Sequence, residues 1–183
     1  MSEETLTVLL IPGHEYEKPG VSKFGVTEYD FGMNVTTEIF RQEKSGNVSV
    51  VLMSRNVFKT HPQDINNLDP DLVIEFHLNA FNGNVQGTET LHFNGSKIGE
   101  RVAQRLQDYM LELGYNDRGL KPITNGDLGG HLITGTKAPA IILEPFFIDS
   151  IETKEEVEEN KEKIINLMME FLEDLETGKL KIK

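Results

Sequence analysis

Short apolar runs alternate along this chain with longer segments whose apolar residues recur at helical spacing. The apolar runs are rich in β-branched residues and cover residues 6–11, 48–53, 71–77, 88–93 and 138–144. Helical patterns cover about residues 27–44, 96–113 and 152–176. Alternating strands and helices are typical of a layered α/β fold, because the helices cover the sheet that the strands form. We therefore predict a layered α/β domain with a mostly parallel β-sheet.

The length of the chain fits one hydrophobic core. It has 183 residues, of which 38% are hydrophobic, and this size is usual for one domain. We expect residues 1–183 to form a single domain with its core at about residues 5–176. The polar stretches 56–70 and 114–130 are predicted to be loops, the first with room for one short helical turn and the second with a short strand near Leu120.

Charge and hydropathy exclude several classes of function. No window approaches about 18 consecutive apolar residues, and no basic segment leads into an apolar one at the N-terminus. We therefore expect no membrane insertion, no signal peptide and synthesis in the cytoplasm. The 30 acidic and 18 basic side chains give a net charge of -12, which weighs against nucleic acid because phosphate binding needs Lys and Arg.

Four polar residues lie where strands end or a helix begins. His14 follows the first strand, His77 ends the third, Glu144 ends the most apolar strand, and Glu28 opens the first helix. Ligands of open α/β sheets bind beyond the carboxyl ends of the strands. The chain has no Cys, so a metal would need His and carboxylate ligands, and two imidazoles with one carboxylate are typical of catalytic zinc.

Each of these residues also has a structural interpretation. His14 fits a solvated loop, the helix dipole favours an acid such as Glu28 in the first turn, and His77 fits a core histidine bonded to a carbonyl. Glu144 is the hardest to explain structurally, because burial of an acid costs free energy and raises its pKa towards that of a working base. From spacing alone, a metal site and separate structural roles stay open.

The remaining candidates are histidines and a basic residue in predicted loops or strands. We expect His61 to be exposed in a loop and His92 to face outward from its strand. His131 and Arg118 either line a groove and contact substrate or are solvated loop residues, and the sequence leaves both possibilities open.

Six local strings occur in an order that resembles the zinc-dependent N-acetylmuramoyl-L-alanine amidases of the amidase type 3 family. They are I-P-G-H, V-T-E-Y-D, I-E-F-H-L-N-A, G-T-E-T-L-H-F, D-R-G-L-K and A-P-A-I-I-L-E-P-F-F-I-D-S. The resemblance covers about residues 6–175 and implies a phosphorylase/hydrolase-like α/β fold, in which a mixed, mostly parallel β-sheet is flanked by helices on both faces. It also implies that His14, Glu28 and His77 bind Zn²⁺ and that Glu144 is the catalytic acid/base.

The implied reaction is hydrolysis of the amide between N-acetylmuramic acid and L-alanine of the peptidoglycan stem peptide. Glu75, where many members have Ser, and the Phe pair after Glu144 look most like phage endolysins of clostridial hosts. We therefore expect a phage or prophage endolysin that degrades the bacterial cell wall after release and causes bacteriolysis. We also expect a monomer without a separate cell-wall-binding domain.

Two other functions remain as alternatives. One is a different zinc-dependent amidohydrolase or peptidase that acts on a small acylated amino acid. The other is a non-catalytic wall-binding module that kept the fold.

Overall fold

Six strands form one central sheet in the computed structural model, which describes residues 5–55 and 57–183. The strands are β1 (Leu6–Pro12), β4 (Val48–Leu52), β5 (Leu72–Phe76), β6 (Thr88–Phe93), β7 (Asp117–Ile123) and β8 (Ala140–Glu144); the short strands β2 (Ser22–Lys23) and β3 (Val26–Thr27) lie outside this sheet. The order across the sheet is β4-β1-β5-β8-β6-β7. Only the β6–β8 pair is antiparallel among the described pairs of this sheet. The predicted mixed, mostly parallel sheet is confirmed.

Helices cover both faces of the sheet because the central strands are apolar on both sides. Alternate residues of β1 point to opposite faces, so that Val8 and Leu10 pack in one core layer while Leu9 and Ile11 pack in the other. The first layer lies under α1 (Glu28–Gln42), α3 (Lys97–Glu112) and α5 (Lys154–Glu176). The second lies under α2 (His61–Leu68) and α4 (Gly130–Gly135).

The three long helices begin at side-chain caps. The Thr27 side chain accepts the backbone N–H of Asp30, and Ser96 and Thr153 accept those of Gly99 and Glu156 in the same way. These bonds satisfy N–H groups that the first turn of a helix leaves free. No helix among residues 5–55 and 57–183 is long and apolar enough to span a bilayer.

Two short helices and a full edge strand occur where the sequence predicts loops. Helix α2 buries Ile65, and α4 buries Leu132 and Ile133. Elements of six to eight residues present too few buried positions to show a helical period. Strand β7 is longer than the predicted short strand, and its Pro122 is tolerated because β7 lies at the edge of the sheet.

The predicted exposure of two histidines is wrong. His61 is only 2% exposed and His92 only 5%. His61 is the first residue of α2 and its side chain is buried, whereas the sequence predicts a solvated loop. His92 lies in β6, which has strands on both sides and helices α3 and α4 on its two faces, so neither face of β6 is free.

A small hairpin closes over the carboxyl edge of the sheet. Its strands are β2 (Ser22–Lys23) and β3 (Val26–Thr27), and α1 follows directly. The Lys23 ammonium donates to the carbonyl of Asp149, 2.7 Å away, and to that of Ile151. These two bonds tie the hairpin to the segment that follows β8.

Candidate active site

The ends of three adjacent parallel strands place His14, His77 and Glu144 at one edge of the sheet. β1 ends at Pro12, β5 at Phe76 and β8 at Glu144 itself. The backbone N–H of Gly13 donates to the carbonyl of Phe76 at 2.7 Å, and the N–H of His77 donates to that of Leu143 at 3.0 Å. The residue that follows β1 is therefore hydrogen-bonded to the end of β5, and the residue that follows β5 is hydrogen-bonded to the end of β8.

The turn after β1 needs glycine at position 13. A Cβ there would lie 2.5 Å from the carbonyl oxygen of Phe76 and 2.8 Å from the His77 ring. The next residue, His14, has φ = 67°, a left-handed conformation that few non-glycine residues adopt. Such strain is concentrated at functional sites, where the surrounding structure holds it in place.

The Glu28 carboxylate bridges the two histidines. Its Oε2 lies 3.0 Å from Nε2 of His14, and its Oε1 lies 2.7 Å from Nδ1 of His77. The backbone N–H groups of Leu78 and Val21 donate to the same two oxygens, at 2.9 and 3.2 Å. One potential ligand atom from each of His14, Glu28 and His77 lies within 4.8 Å of the others.

Opposite charges shift the pKa values of this cluster in opposite directions. Burial alone would raise the pKa of Glu28, but hydrogen bonds from His14 and His77 outweigh it and lower the pKa to about 2. Burial would lower the pKa of His77, yet Glu75 and Glu28 outweigh it and raise the pKa to about 10. His77 lies between two carboxylates, and such a negative environment also suits a divalent cation.

Glu144 faces the same cleft with one oxygen lacking a partner. Its Oε2 is buried and makes no hydrogen bond with any residue in the described part of the chain. Burial raises the pKa of Glu144 to about 7. The positive charge of His77 acts in the opposite direction, but the negative charges of Glu28 and Glu89 add to the effect of burial. A carboxyl group with this pKa can both accept and return a proton near neutral pH.

A cleft of about 490 Å³ contains all four residues. Its walls are largely apolar, and its lining also includes Arg55, Glu75, Asp127 and His131 as well as Phe58, Leu91, Leu128, Leu132 and Ile142. A larger groove of about 680 Å³ lies between α1 and α5, where Glu38, Arg41, Lys161 and Glu162 form solvated helix faces. The candidate chemistry lies in the smaller cleft.

The two residues that the sequence left open have different positions. His131 lines the cleft, where its Nε2 lies 2.7 Å from the carbonyl oxygen of Phe58 and its ring stacks on the Phe58 ring at 4.5 Å. Arg118 lies in an adjoining recess, where it pairs with Glu89 at 2.9 Å and covers the Phe147 ring.

Two further polar residues behind His77 were not among the predicted site residues. The Glu75 side chain is 1% exposed, accepts a hydrogen bond from Arg55 at 2.6 Å, and has its Oε2 3.3 Å from Nε2 of His77. The sequence did contain a signal that Glu75 belongs to the site, because Glu75, like Glu144, is an acidic residue within an apolar strand. Arg55 had no such signal, since it lies in a polar segment after β4.

The donor set fits a divalent cation with an open coordination position. Two imidazole nitrogens and one carboxylate oxygen lie within 4.8 Å of one another, and this combination of ligands suits zinc. Glu144, whose Oε2 has no partner in the described part of the chain, lines the same cleft. The arrangement therefore suits metal-assisted hydrolysis.

Comparison with known proteins identifies a family of hydrolases, in agreement with a site suited to metal-assisted hydrolysis. A family model described as N-acetylmuramoyl-L-alanine amidase matches residues 8–174. A search of curated proteins found no match.

Several solved structures share the fold. The catalytic domain of CwlV, an N-acetylmuramoyl-L-alanine amidase from Bacillus (Paenibacillus) polymyxa var. colistinus, matches with TM-score 0.78 and 19% identity, over 97% of this chain and 100% of that chain. The N-acetylmuramoyl-L-alanine amidase from Clostridium difficile 630 matches with TM-score 0.74 and 20% identity, over 94% of this chain and 99% of that one. The catalytic domain of the CD27L endolysin targeting Clostridia difficile matches with TM-score 0.74 and 22% identity, over 92% and 97%. At these identities the likeness establishes the fold.

The family match rests on the sequence and spans every strand of the central sheet except the first two residues of β1. It includes His14, Glu28, His77 and Glu144. Since the match extends over most of the 183 residues, this chain belongs to the N-acetylmuramoyl-L-alanine amidase family.

Proposed function

We propose that this chain is a zinc-dependent amidase that hydrolyses the amide between the lactyl group of N-acetylmuramic acid and L-alanine of the stem peptide. The observation that carries the proposal is the cluster of His14, Glu28 and His77 in one cleft with the unpartnered oxygen of Glu144. Membership of the amidase family supports peptidoglycan as the substrate.

His14, Glu28 and His77 would hold the cation. When bound, a divalent cation polarises the amide carbonyl and makes water more acidic. Glu28 supplies the negative charge of the set, and the N–H groups of Leu78 and Val21 keep its carboxylate in position. A divalent cation bound by two neutral imidazoles and one carboxylate would keep a net positive charge. That charge would attract the electron-rich oxygen of the substrate carbonyl.

Glu144 would move the proton. As a carboxylate it accepts a proton from the water whose oxygen attacks the carbonyl carbon. It then returns that proton to the amide nitrogen as the carbon–nitrogen bond breaks. The products are the lactyl carboxylate and the free amino group of alanine, and Glu144 is regenerated after each turnover.

The apolar wall of the cleft strengthens these electrostatic effects. Leu91, Leu132 and Ile142 are buried side chains that line the cleft together with Glu144, and Leu128 is a lining residue that is 93% exposed. Charges interact more strongly where water is excluded. The same burial raises the pKa of Glu144 towards neutrality.

The test is release of alanine amino groups from purified Gram-positive cell walls. Glu144→Gln should retain its zinc and lose activity by about 10²–10⁴-fold, because the glutamine side chain cannot accept the proton of the attacking water. Glu170→Gln is the matched control, since Glu170 is an exposed glutamate of α5 far along the chain from the site. Glu170→Gln should keep both zinc and activity.

Two results would contradict the proposal. One is a Glu144→Gln variant that is as active as the wild type. The other is a zinc-loaded wild type that releases no alanine from walls and instead hydrolyses small N-acylated amino acids. The second result would favour the alternative amidohydrolase.

We further propose that the enzyme acts as a phage or prophage endolysin on the cell wall after release from the cytoplasm. The similar fold of the CD27L endolysin catalytic domain supports this setting. Expression in a Gram-positive host should cause lysis only when a membrane-permeabilising holin is co-expressed. Lysis by the protein alone, or intact cells with both proteins, would contradict the endolysin role while leaving the amidase proposal unaffected.

A further inference from the structure

Glu75 is a buried carboxylate in the middle of the sheet. On β5 it lies in register with Ile11 of β1 and Ile142 of β8, and its side chain is 1% exposed. Removal of a charged group from water is costly unless partners replace the water. Packing alone does not explain a buried carboxylate in an apolar layer, so a functional role of Glu75 is to be sought in its contacts.

Each oxygen of Glu75 has one partner. Oε1 accepts from Nη2 of Arg55 at 2.6 Å, and Oε2 lies 3.3 Å from Nε2 of His77. The other ring nitrogen of His77, Nδ1, lies 2.7 Å from Glu28. The imidazole is thus held between the carboxylate of the ligand cluster and a second carboxylate behind it.

The position of Glu75 decides which nitrogen of His77 carries the proton. A carboxylate has no proton to donate, so the proton between Nε2 of His77 and Oε2 of Glu75, which lie 3.3 Å apart, belongs to Nε2. The lone pair of the neutral ring is then on Nδ1, which lies 2.7 Å from Oε1 of Glu28. The opposite tautomer would point a lone pair at a buried carboxylate and a proton at the metal position.

Arg55 in turn holds Glu75. Its side chain is 11% exposed and its guanidinium covers the Phe58 ring at 5.1 Å. Guanidinium groups donate and never accept, so the oxygen that faces Arg55 must be an acceptor. Arg55 therefore fixes the orientation of whatever group occupies position 75.

We propose that Glu75, held by Arg55, is a positioning residue that keeps the proton on Nε2 of His77 and presents Nδ1 to the metal. This inference rests on the proposed metal site and extends it to two residues that do not bind the metal. Groups that orient a metal-bound histidine in this way typically change metal affinity by about 10–100-fold when removed.

The structure makes a sharp prediction for Glu75→Gln, which has the same shape. Arg55 should attract the amide oxygen, so that the amide NH₂ faces His77. Nε2 of His77 must then accept a hydrogen bond, and the proton moves to Nδ1, where it blocks the metal. We expect zinc affinity to fall by about 10–100-fold. In Arg55→Met/Glu75→Gln the amide is free to turn over, and affinity should partly recover relative to Glu75→Gln alone.

Metal affinity of the purified protein, measured by competition with a chelator at one pH, is the first readout. Histidine ¹⁵N NMR of the zinc-loaded wild type is the second, and it should show the proton on Nε2 of His77. Asp174→Asn is the matched control, because Asp174 is another buried carboxylate that an arginine, Arg105, contacts at 2.6 Å, away from the cleft. It should leave zinc affinity unchanged.

Three outcomes would overturn the inference. They are wild-type affinity in Glu75→Gln, no recovery in the double variant, and a wild-type spectrum with the proton on Nδ1. The spectrum needs no variant, so it decides the question even if Glu75→Gln does not fold. Failure of the proposed function looks different, because the wild type itself would then bind no zinc or release no alanine.

Discussion

Oε1 of Glu28 lies 2.7 Å from Nδ1 of His77, although the two residues are 49 positions apart in the chain. One opens a helix and the other follows a strand, and the sheet brings both to the same edge. His14 contacts the second oxygen of the same carboxylate at 3.0 Å. Glu28 is therefore the residue through which the two imidazoles are joined.

Glu28→Gln should abolish tight zinc binding, because it removes the only negative charge in the three-residue cluster. Excess zinc should raise the melting temperature of the wild type, since a ligand at about 1,000 times its Kd stabilises the folded state by about 4 kcal/mol. The variant should show little of this shift in a thermal unfolding scan with and without zinc. An equal shift in both proteins would place the metal elsewhere.

The pH dependence of the reaction should report the ionisation of Glu144. Burial raises its pKa to about 7, and a base works only when deprotonated, so kcat/KM should rise with pH through an acidic limb. A bound cation lowers the pKa, as the charge on His77 does, so the limb should lie at pH 7 or below. Residual activity of Glu144→Gln should lack the limb. The profile of soluble muropeptide hydrolysis over about pH 5–9 measures this, and a wild-type limb above pH 7 would contradict it.

Gly13→Ala should damage the site through the backbone. The added Cβ would lie 2.5 Å from the carbonyl oxygen of Phe76 and 2.8 Å from the His77 ring. We expect a loss of about 1–3 kcal/mol in unfolding free energy, as in overpacked cores, together with weaker zinc binding. Gly46→Ala is the control, because a Cβ there meets no atom within 4 Å among the described residues. Similar behaviour of the two variants in denaturant titrations and zinc assays would refute the steric argument.

Asp174 should stabilise the fold without affecting the site. It accepts hydrogen bonds from Arg105 and Tyr109 at 2.6 and 2.9 Å, and Lys179 lies 2.9 Å away. Asp174→Asn should reduce the unfolding free energy by about 1.5–3 kcal/mol, the range for hydrogen bonds to charged groups. Amidase activity of the folded variant should be unchanged.

The same residue predicts a pH effect on stability. Burial would raise the pKa of Asp174, but its bonds from Lys179, Arg105 and Tyr109 outweigh that and lower the pKa below 3.8. Its stabilising contribution is therefore complete above pH 3.8 and is lost as the pH falls through the lowered pKa. Denaturant titrations of wild type and Asp174→Asn should differ at neutral pH and converge in acid. A constant difference down to the lowest pH would rule out this linkage.

Much of the fold could be predicted because it depends on local patterns. The β-branched runs predict the strands, and Thr27 and Ser96 mark the starts of their helices. Helix α4 could not be predicted, and α2 only as one helical turn within a loop, because their few buried residues show no period over so short a length. The prediction that His92 is exposed was wrong for a different reason. A strand alternates its side chains, but whether the second face is covered depends on α3, which follows β6 in the chain and folds back over it.

The candidate site divides in the same way. Local patterns were enough to place His14 and His77 after strands, Glu144 at the end of one and Glu28 at the start of a helix, since capping and hydrophobic periodicity are properties of short segments. The folded structure was needed to show that β1, β5 and β8 are neighbours, that Glu28 contacts both histidines, and that Arg55 and Glu75 lie behind His77. These relationships join atoms from distant parts of the chain. They depend on strand order and on the burial that close packing creates, and no local pattern contains either one.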